Sequence, residues 1–177
     1  HSDFARGAGF GTPGLSRATG RFVRMAAMNT LVFGGSFDPP HLGHAALLKA
    51  AKARIRPDCV LVVPAFHAPL KDTPAAAAAD RLAMLKLALP GARIDTTELR
   101  SRRPVYTFET LERLRRQDPK GELHFVVGSD SAARLPEWKE LQRLRALAQW
   151  WTAKRPGSGS KPPSFFKTLP GKMPDIS

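Results

Sequence analysis

Three short, largely apolar runs dictate the kind of fold open to this chain. They are Leu31 to Phe33, Cys59 to Val63 (CVLVV) and Leu123 to Val127, and each stops at a glycine or proline. Apolar on both faces, such runs suit strands covered on both sides, as in a parallel sheet. Helical spacing follows them. His41 to Arg54 carries Leu42, Ala45, Ala46, Leu48, Lys49 and Lys52; Arg81 to Leu89 carries Leu82, Leu85 and Leu89; Thr107 to Gln117 turns Phe108, Leu111 and Leu114 inward. Pro136 to Leu147 also reads as helix, Arg93 to Thr97 as a short strand, and Trp150 to Ala153 as a last strand. Alternating strands and helices predict an α/β fold: a Rossmann-like, doubly wound parallel sheet with helices on both faces. Such sheets bind ligands beyond the carboxyl ends of their strands, at a switch point.

The 177 residues suffice for one domain with one sizeable core. No apolar run approaches the ~18 to 20 residues of a membrane helix. The single cysteine, Cys59, excludes a disulfide framework and a multi-cysteine zinc site, and fits a reducing, cytoplasmic setting. The formal charge of +13 favours anionic partners without saying which. Aromatic residues are not interleaved with the basic ones, so no specific nucleic acid partner is expected.

Residues 1 to 27 are rich in Gly, Ala, Ser and Arg, with Asp3 their one acid, and read as a disordered leader or non-native extension. They lack the apolar core of a secretory signal. Gly9, Gly11 and Gly14 match G-x-G-x-x-G, but neither strand nor helix flanks them and Pro13 sits inside, so this is a decoy. From Pro156 onward the chain is dense in Pro, Gly, Ser and Lys and reads as a basic surface loop. Residues 28 to 177 form the expected single domain.

Chemistry concentrates at the end of the first strand, where Gly34 to His44 reads GGSFDPPHLGH. Gly34 and Gly35 let backbone approach a ligand without a Cβ in the way. Ser36 can donate a hydroxyl hydrogen bond, and Pro39 and Pro40 stiffen the entry to a helix. His41 and His44, three apart, share a face of its first turn, where unpaired N–H groups and the dipole attract anions. Gly43 keeps that face open. Taken alone, H-x-x-H could equally be a surface histidine pair or two ligands of a metal site. No third ligand stands at suitable spacing, so no metal site is expected. With GGSFDPP attached, a phosphate clamp is the reading.

This eleven-residue segment resembles the signature of the nucleotidyltransferase superfamily, whose H-x-G-H motif binds a triphosphate. Across about residues 28 to 177 the chain most resembles the bacterial nicotinate-nucleotide adenylyltransferases. The resemblance implies adenylyl transfer from ATP to nicotinate mononucleotide, with Mg²⁺, giving deamido-NAD and pyrophosphate by direct in-line attack. On it, Gly34, Gly35, Ser36, Phe37, His41, His44, Lys71, Arg155, Ile176 and Ser177 fall on the ATP and phosphate side, with His44 and His41 catalytic. Ser36, Thr107, Gly128, Asp130 and Trp138 fall on the mononucleotide side.

The later motifs carry the subfamily. LHFVVGSDS, Leu123 to Ser131, with Trp138 downstream, is similar to the family's strand, G-x-D and tryptophan. A strand ending in Gly-Ser-Asp suits a ribose, since a carboxylate accepts two hydroxyl hydrogen bonds. Trp138 could equally be a core aromatic. Tyr106-Thr107 matches the family's Y-T at a helix start, implying a contact of Thr107 with the pyridine carboxylate; Thr107 is also a good N-cap. Lys154 to Gly157 includes the family's R-P-G, which makes Arg155 a ligand candidate beside its plainer role as a solvated cation. Two departures stand out. Leu70 replaces a histidine usual before the cation at Lys71. Asp175-Ile176-Ser177 holds only the first residues of I-S-S-T-x-x-R, so the domain is expected to be truncated at its C-terminus. A phosphopantetheine adenylyltransferase-like enzyme and an inactive nucleotide-binding remnant are the alternatives. The oligomeric state, and the choice between acid and amide mononucleotide, stay open.

Overall fold

The computed structural model describes residues 27–68, 73–153 and 162–170. Six parallel strands form one sheet: β1 (Asn29–Gly35), β2 (Cys59–Pro64), β3 (Arg93–Ile94), β4 (Glu122–Val126), β5 (Gln149–Ala153) and β6 (Lys167–Leu169), in the order β3-β2-β1-β4-β5-β6. The chain winds outward from β1 to one edge, then restarts at β4 and winds to the other. The point of reversal lies between β1 and β4, where a crevice opens at the strands' carboxyl ends.

The period-2 alternation of the strands divides the core between two faces. Leu31, Phe33, Val62, Val126 and Trp151 point to one face, against Leu47, Leu48 and Ala51 of α1 (Leu42–Ile55) and Leu85 of α2 (Ala78–Ala88). Val32, Leu61, Val63, Leu123, Phe125 and Trp150 point to the other. There they meet Leu111 and Leu114 of α4 (Thr107–Gln117) and Leu144 of α6 (Leu141–Leu147). The doubly wound architecture expected from the sequence is thus what forms.

Several local expectations give way. Leu42 opens α1 but is 78% exposed; the inward stripe is Leu47, Leu48 and Ala51. The strand expected over Arg93 to Thr97 ends at Ile94, because the Asp95 carboxylate accepts the Thr97 N–H at 2.9 Å and its hydroxyl at 2.5 Å and starts α3 (Thr97–Ser101). Another five-residue helix, α5 (Ser129–Ala133), follows β4. Both are too short to show a period. The helix read over Pro136 to Leu147 is broken. A 3₁₀ turn covers Leu135–Glu137, Trp138 is extended, and Glu140 is left-handed with φ 59° before α6 begins. The interruption sets the Trp138 ring edge-on to Trp150. Within the segment read as a surface loop, Lys167–Leu169 adds an edge strand and buries Phe166 and Leu169. An edge strand needs only one ladder, so flanking prolines are tolerated there.

The tryptophan pair serves one face each. Trp150 donates its indole N–H to the Leu144 carbonyl at 3.0 Å, and Trp151 donates to His124 Nδ1 at 3.1 Å. Residues 1–26, with the Gly9-Gly11-Gly14 decoy, lie outside the described residues, as do Lys71, Arg155, Ile176 and Ser177.

Candidate active site

β1 delivers the chain to the crevice, paired with β2 through Gly35 opposite Pro64. Gly34 and Gly35 line the cavity there, but the space they leave is also used from within. A Cβ on Gly34 would lie 2.7 Å from the Phe125 ring, and one on Gly35 3.1 Å from the Phe37 ring. Their small size therefore serves aromatic packing as well as ligand approach. Phe37 is 1% exposed and packs edge-on to Phe33 at 5.3 Å. Its side chain belongs to the core, so only its backbone could meet a phosphate. That backbone is left-handed, φ 49°, an unusual conformation for a bulky residue.

Two side chains hold this turn, and neither stood out in the sequence. Asp38 accepts the N–H groups of Ala75 and Ala76, at 2.6 and 3.1 Å. Arg81, 1% exposed, donates to the carbonyls of Ser36 (2.6 Å), Ala65 (2.8 Å) and Phe66 (3.0 Å). It ties the β1 loop to the β2 loop. Burial lowers the Arg81 pKa from its ordinary value, and the nearby Asp38 carboxylate opposes that shift. The signal existed: Arg81 stands four before the buried Leu85, on the inward stripe of α2.

His41 and His44 come together. His41 caps α1 in an extended conformation, and the two rings lie 3.8 Å apart. The His41 N–H donates to His44 Nδ1 at 3.2 Å. An accepting Nδ1 leaves the proton of a neutral ring on Nε2. Phe37 backs the His44 ring at 4.9 Å. The first turn of this 14-residue helix carries no acidic side chain. A basic, dipole-positive corner of this kind suits phosphate oxygens.

From the same strand end, at Gly34, Gly35 and Ser36, opens a largely apolar cavity of about 330 Å³, walled also by Phe125, Glu98, Tyr106, Thr107 and Trp138; neither histidine is among its lining residues. Thr107 is the first helical residue of α4 rather than its cap; Tyr106 caps, and its N–H donates to the Glu109 carboxylate at 3.0 Å. Trp138 packs edge-on to Trp150 at 6.1 Å and also lines the cavity. At the mouth, Lys139 Nζ sits 4.5 Å from the Tyr106 ring centroid. Gly128 caps α5 and Asp130 is exposed; neither is among the cavity's lining residues, whereas Ser131 is. Glu98 is the unexpected wall. It is 7% exposed, and desolvation raises its carboxyl to about 7 although Thr110 donates a hydroxyl to it at 2.5 Å. Among the described residues, no group of three or more His, Cys, Asp or Glu could hold a metal ion, and no helix is long and apolar enough to cross a membrane.

Residues 32–177 match the cytidylyltransferase-like family. A probable nicotinate-nucleotide adenylyltransferase of Nitratiruptor sp. is 39% identical over 145 residues, spanning 80% of this chain and 81% of that protein. The one from Laribacter hongkongensis is 44% identical over 139 residues, 75% of this chain and 63% of that one. A Plasmodium falciparum nicotinic acid mononucleotide adenylyltransferase superposes with a TM-score of 0.63 over 85% of this chain and 77% of its own, at 19% identity, a likeness of fold.

Proposed function

We propose, because this chain belongs to the cytidylyltransferase-like family and within it to the nicotinate-nucleotide adenylyltransferases, that it transfers an adenylyl group from ATP to nicotinate mononucleotide. The products are deamido-NAD and pyrophosphate. The observation that carries this reading is the apposition of two chemically different sites: the paired His41 and His44 rings at the start of α1, and the apolar cavity walled by Thr107 and Trp138. One suits phosphates, the other a flat, weakly polar ring.

In this reading a 5′-phosphate oxygen of the mononucleotide attacks the α-phosphorus of ATP in line, and pyrophosphate leaves. The attacking group is already an anion, so no general base is needed. The protein positions the reactants and neutralises developing charge. His44 donates from Nε2 to a phosphoryl oxygen, steadied by the Nδ1 bond it accepts from the His41 N–H. His41, with the backbone from Gly34 to Phe37, holds further oxygens. Lys71, Arg155, Ile176 and Ser177 join the phosphate side on sequence grounds. Ser36, Thr107, Gly128, Asp130 and Trp138 hold the mononucleotide, the ring against Trp138 and its carboxylate at the start of α4. Mg²⁺ belongs to the same reading, arriving with ATP and neutralising charge on its phosphates. A cytoplasmic location belongs to the same reading.

The test is pyrophosphate release with ATP and Mg²⁺, offering nicotinate mononucleotide, nicotinamide mononucleotide or phosphopantetheine. Turnover with nicotinate mononucleotide is expected. Turnover with phosphopantetheine alone, or with none of the three, overturns the assignment.

A further inference from the structure

We propose that Glu98 is a specificity-determining residue of the cavity, its carboxyl deciding whether the ring end accepts a pyridine carboxylate or a pyridine carboxamide. This rests on the nicotinate mononucleotide reading above and deepens it.

Glu98 is a wall of the same cavity as Thr107 and Trp138, and 7% of its surface is exposed. Its partner Thr110, which donates to it at 2.5 Å, stands one helical turn along α4 from Tyr106 and Thr107 and gives its own N–H to the Tyr106 carbonyl. With a ring carboxylate held at the start of α4, a carboxyl in the same cavity wall meets either a like charge or a partner, depending on one proton. Protonated, it donates an O–H to the substrate carboxylate. Ionised, it repels that carboxylate and accepts an N–H from a carboxamide instead.

The surroundings leave the decision to Glu98. On its own side Asp95 is paired with Arg113 of α4. Glu109 of α4 is paired with Arg103 at 2.7 Å. Across the cavity stand Arg134, Glu137 and Lys139; Arg134 and Glu137 are paired at 3.0 Å, and Lys139 lies over Tyr106. The hydrogen bond Glu98 itself receives comes from the neutral hydroxyl of Thr110. Burial raises its pKa to about 7, with Asp95 and Glu109 adding to the rise and Thr110 and Arg113 opposing it. The change of state therefore falls where the enzyme can be assayed.

The experiment measures kcat/KM for nicotinate and nicotinamide mononucleotide, as a ratio, between about pH 6 and about pH 8. Both substrates carry the same 5′-phosphate, which titrates near pH ~6, so its effect cancels in the ratio. In the unaltered protein the acid-to-amide ratio should fall about tenfold or more across that window, through KM rather than kcat. Glu98→Gln keeps the shape and the Thr110 bond but cannot ionise, so its ratio should vary less than about twofold. Thr110→Val removes the hydroxyl that favours the ionised form, and should move the midpoint of the fall to higher pH. A pH-independent ratio in the unaltered protein overturns the inference without recourse to any variant. So does a Glu98→Gln profile that copies the unaltered one, or a Thr110→Val midpoint that stays in place. Turnover of the acid with a flat ratio overturns this inference alone. No turnover of either mononucleotide overturns the functional reading and this inference together.

Discussion

The two ends of the crevice are built differently. The phosphate end is one stretch of chain, Gly34 to His44, running from a strand end into the first turn of α1. Its shape is local: a cap, a turn and a histidine pair bonded through their own backbone at 3.2 Å. The ring end is assembled from β4, α3, α4 and the broken segment around Trp138, pieces brought together only by the fold. A local site resists long-range disturbance but can be lost with one side chain. An assembled site spreads its contacts, and each loss is partial. The phosphate end is not wholly self-sufficient, however, because Arg81, 37 residues beyond His44 in sequence, pins its turn.

The largest effect should come from the local end. His44→Ala should lower kcat by about 10²- to 10³-fold while changing the Kd for nicotinate mononucleotide little; single-turnover kinetics with a binding titration measure both. Unchanged turnover would remove His44 from the mechanism. Next comes Arg81→Met, which leaves three partly buried carbonyls without their donor and should cost about 3 kcal/mol in denaturant unfolding. If stability holds and only kcat falls, the clamp orients the turn without supporting the fold.

Trp138→Ala should raise KM for the mononucleotide by roughly tenfold with kcat nearly constant, Trp138→Phe recovering part of it, as lost ring stacking predicts. A loss confined to stability would return Trp138 to the core that it shares with Trp150. The smallest effect should leave both ends alone. His124→Phe leaves the buried Trp151 indole N–H without its acceptor and should cost about 1 to 2 kcal/mol. It should also flatten the acid limb of stability. Burial holds the His124 imidazole below its ordinary 6.5, against the Glu122 carboxylate. A base with a depressed folded pKa supports the fold fully above its unfolded value, here 6.5, and loses that support as pH falls from there through the folded value. Thermal unfolding at a series of pH values checks this; an unchanged acid limb would separate His124 from acid sensitivity.

The contrast between the two ends is also a contrast in what could be read from residues. The pairing of His41 and His44 was legible because neighbours in sequence are neighbours in space within one turn of helix. Even there the reasons differed in part: Gly35 clears room for the Phe37 ring, and Phe37 turns its side chain into the core. At the ring end Trp138 and Thr107 could be singled out, while Glu98 could not. Nothing in Thr96-Thr97-Glu98 reveals that a five-residue helix will carry its carboxyl into a cavity formed with α4. Asp130 shows the reverse, a motif residue that lies outside the cavity wall.

By itself the sequence determined the winding of the sheet, because apolar runs covered on both faces leave a parallel, doubly wound arrangement as the natural way to bury them. It determined the histidine pair at the start of α1 too, since a helix start with two histidines is a property of consecutive residues. The tertiary structure decided the rest. It chose which charged side chains lose their water, burying Arg81 among carbonyls and Glu98 beside a lone hydroxyl. Desolvation depends on what packs around a group from elsewhere in the chain, and that is settled only once the chain has folded.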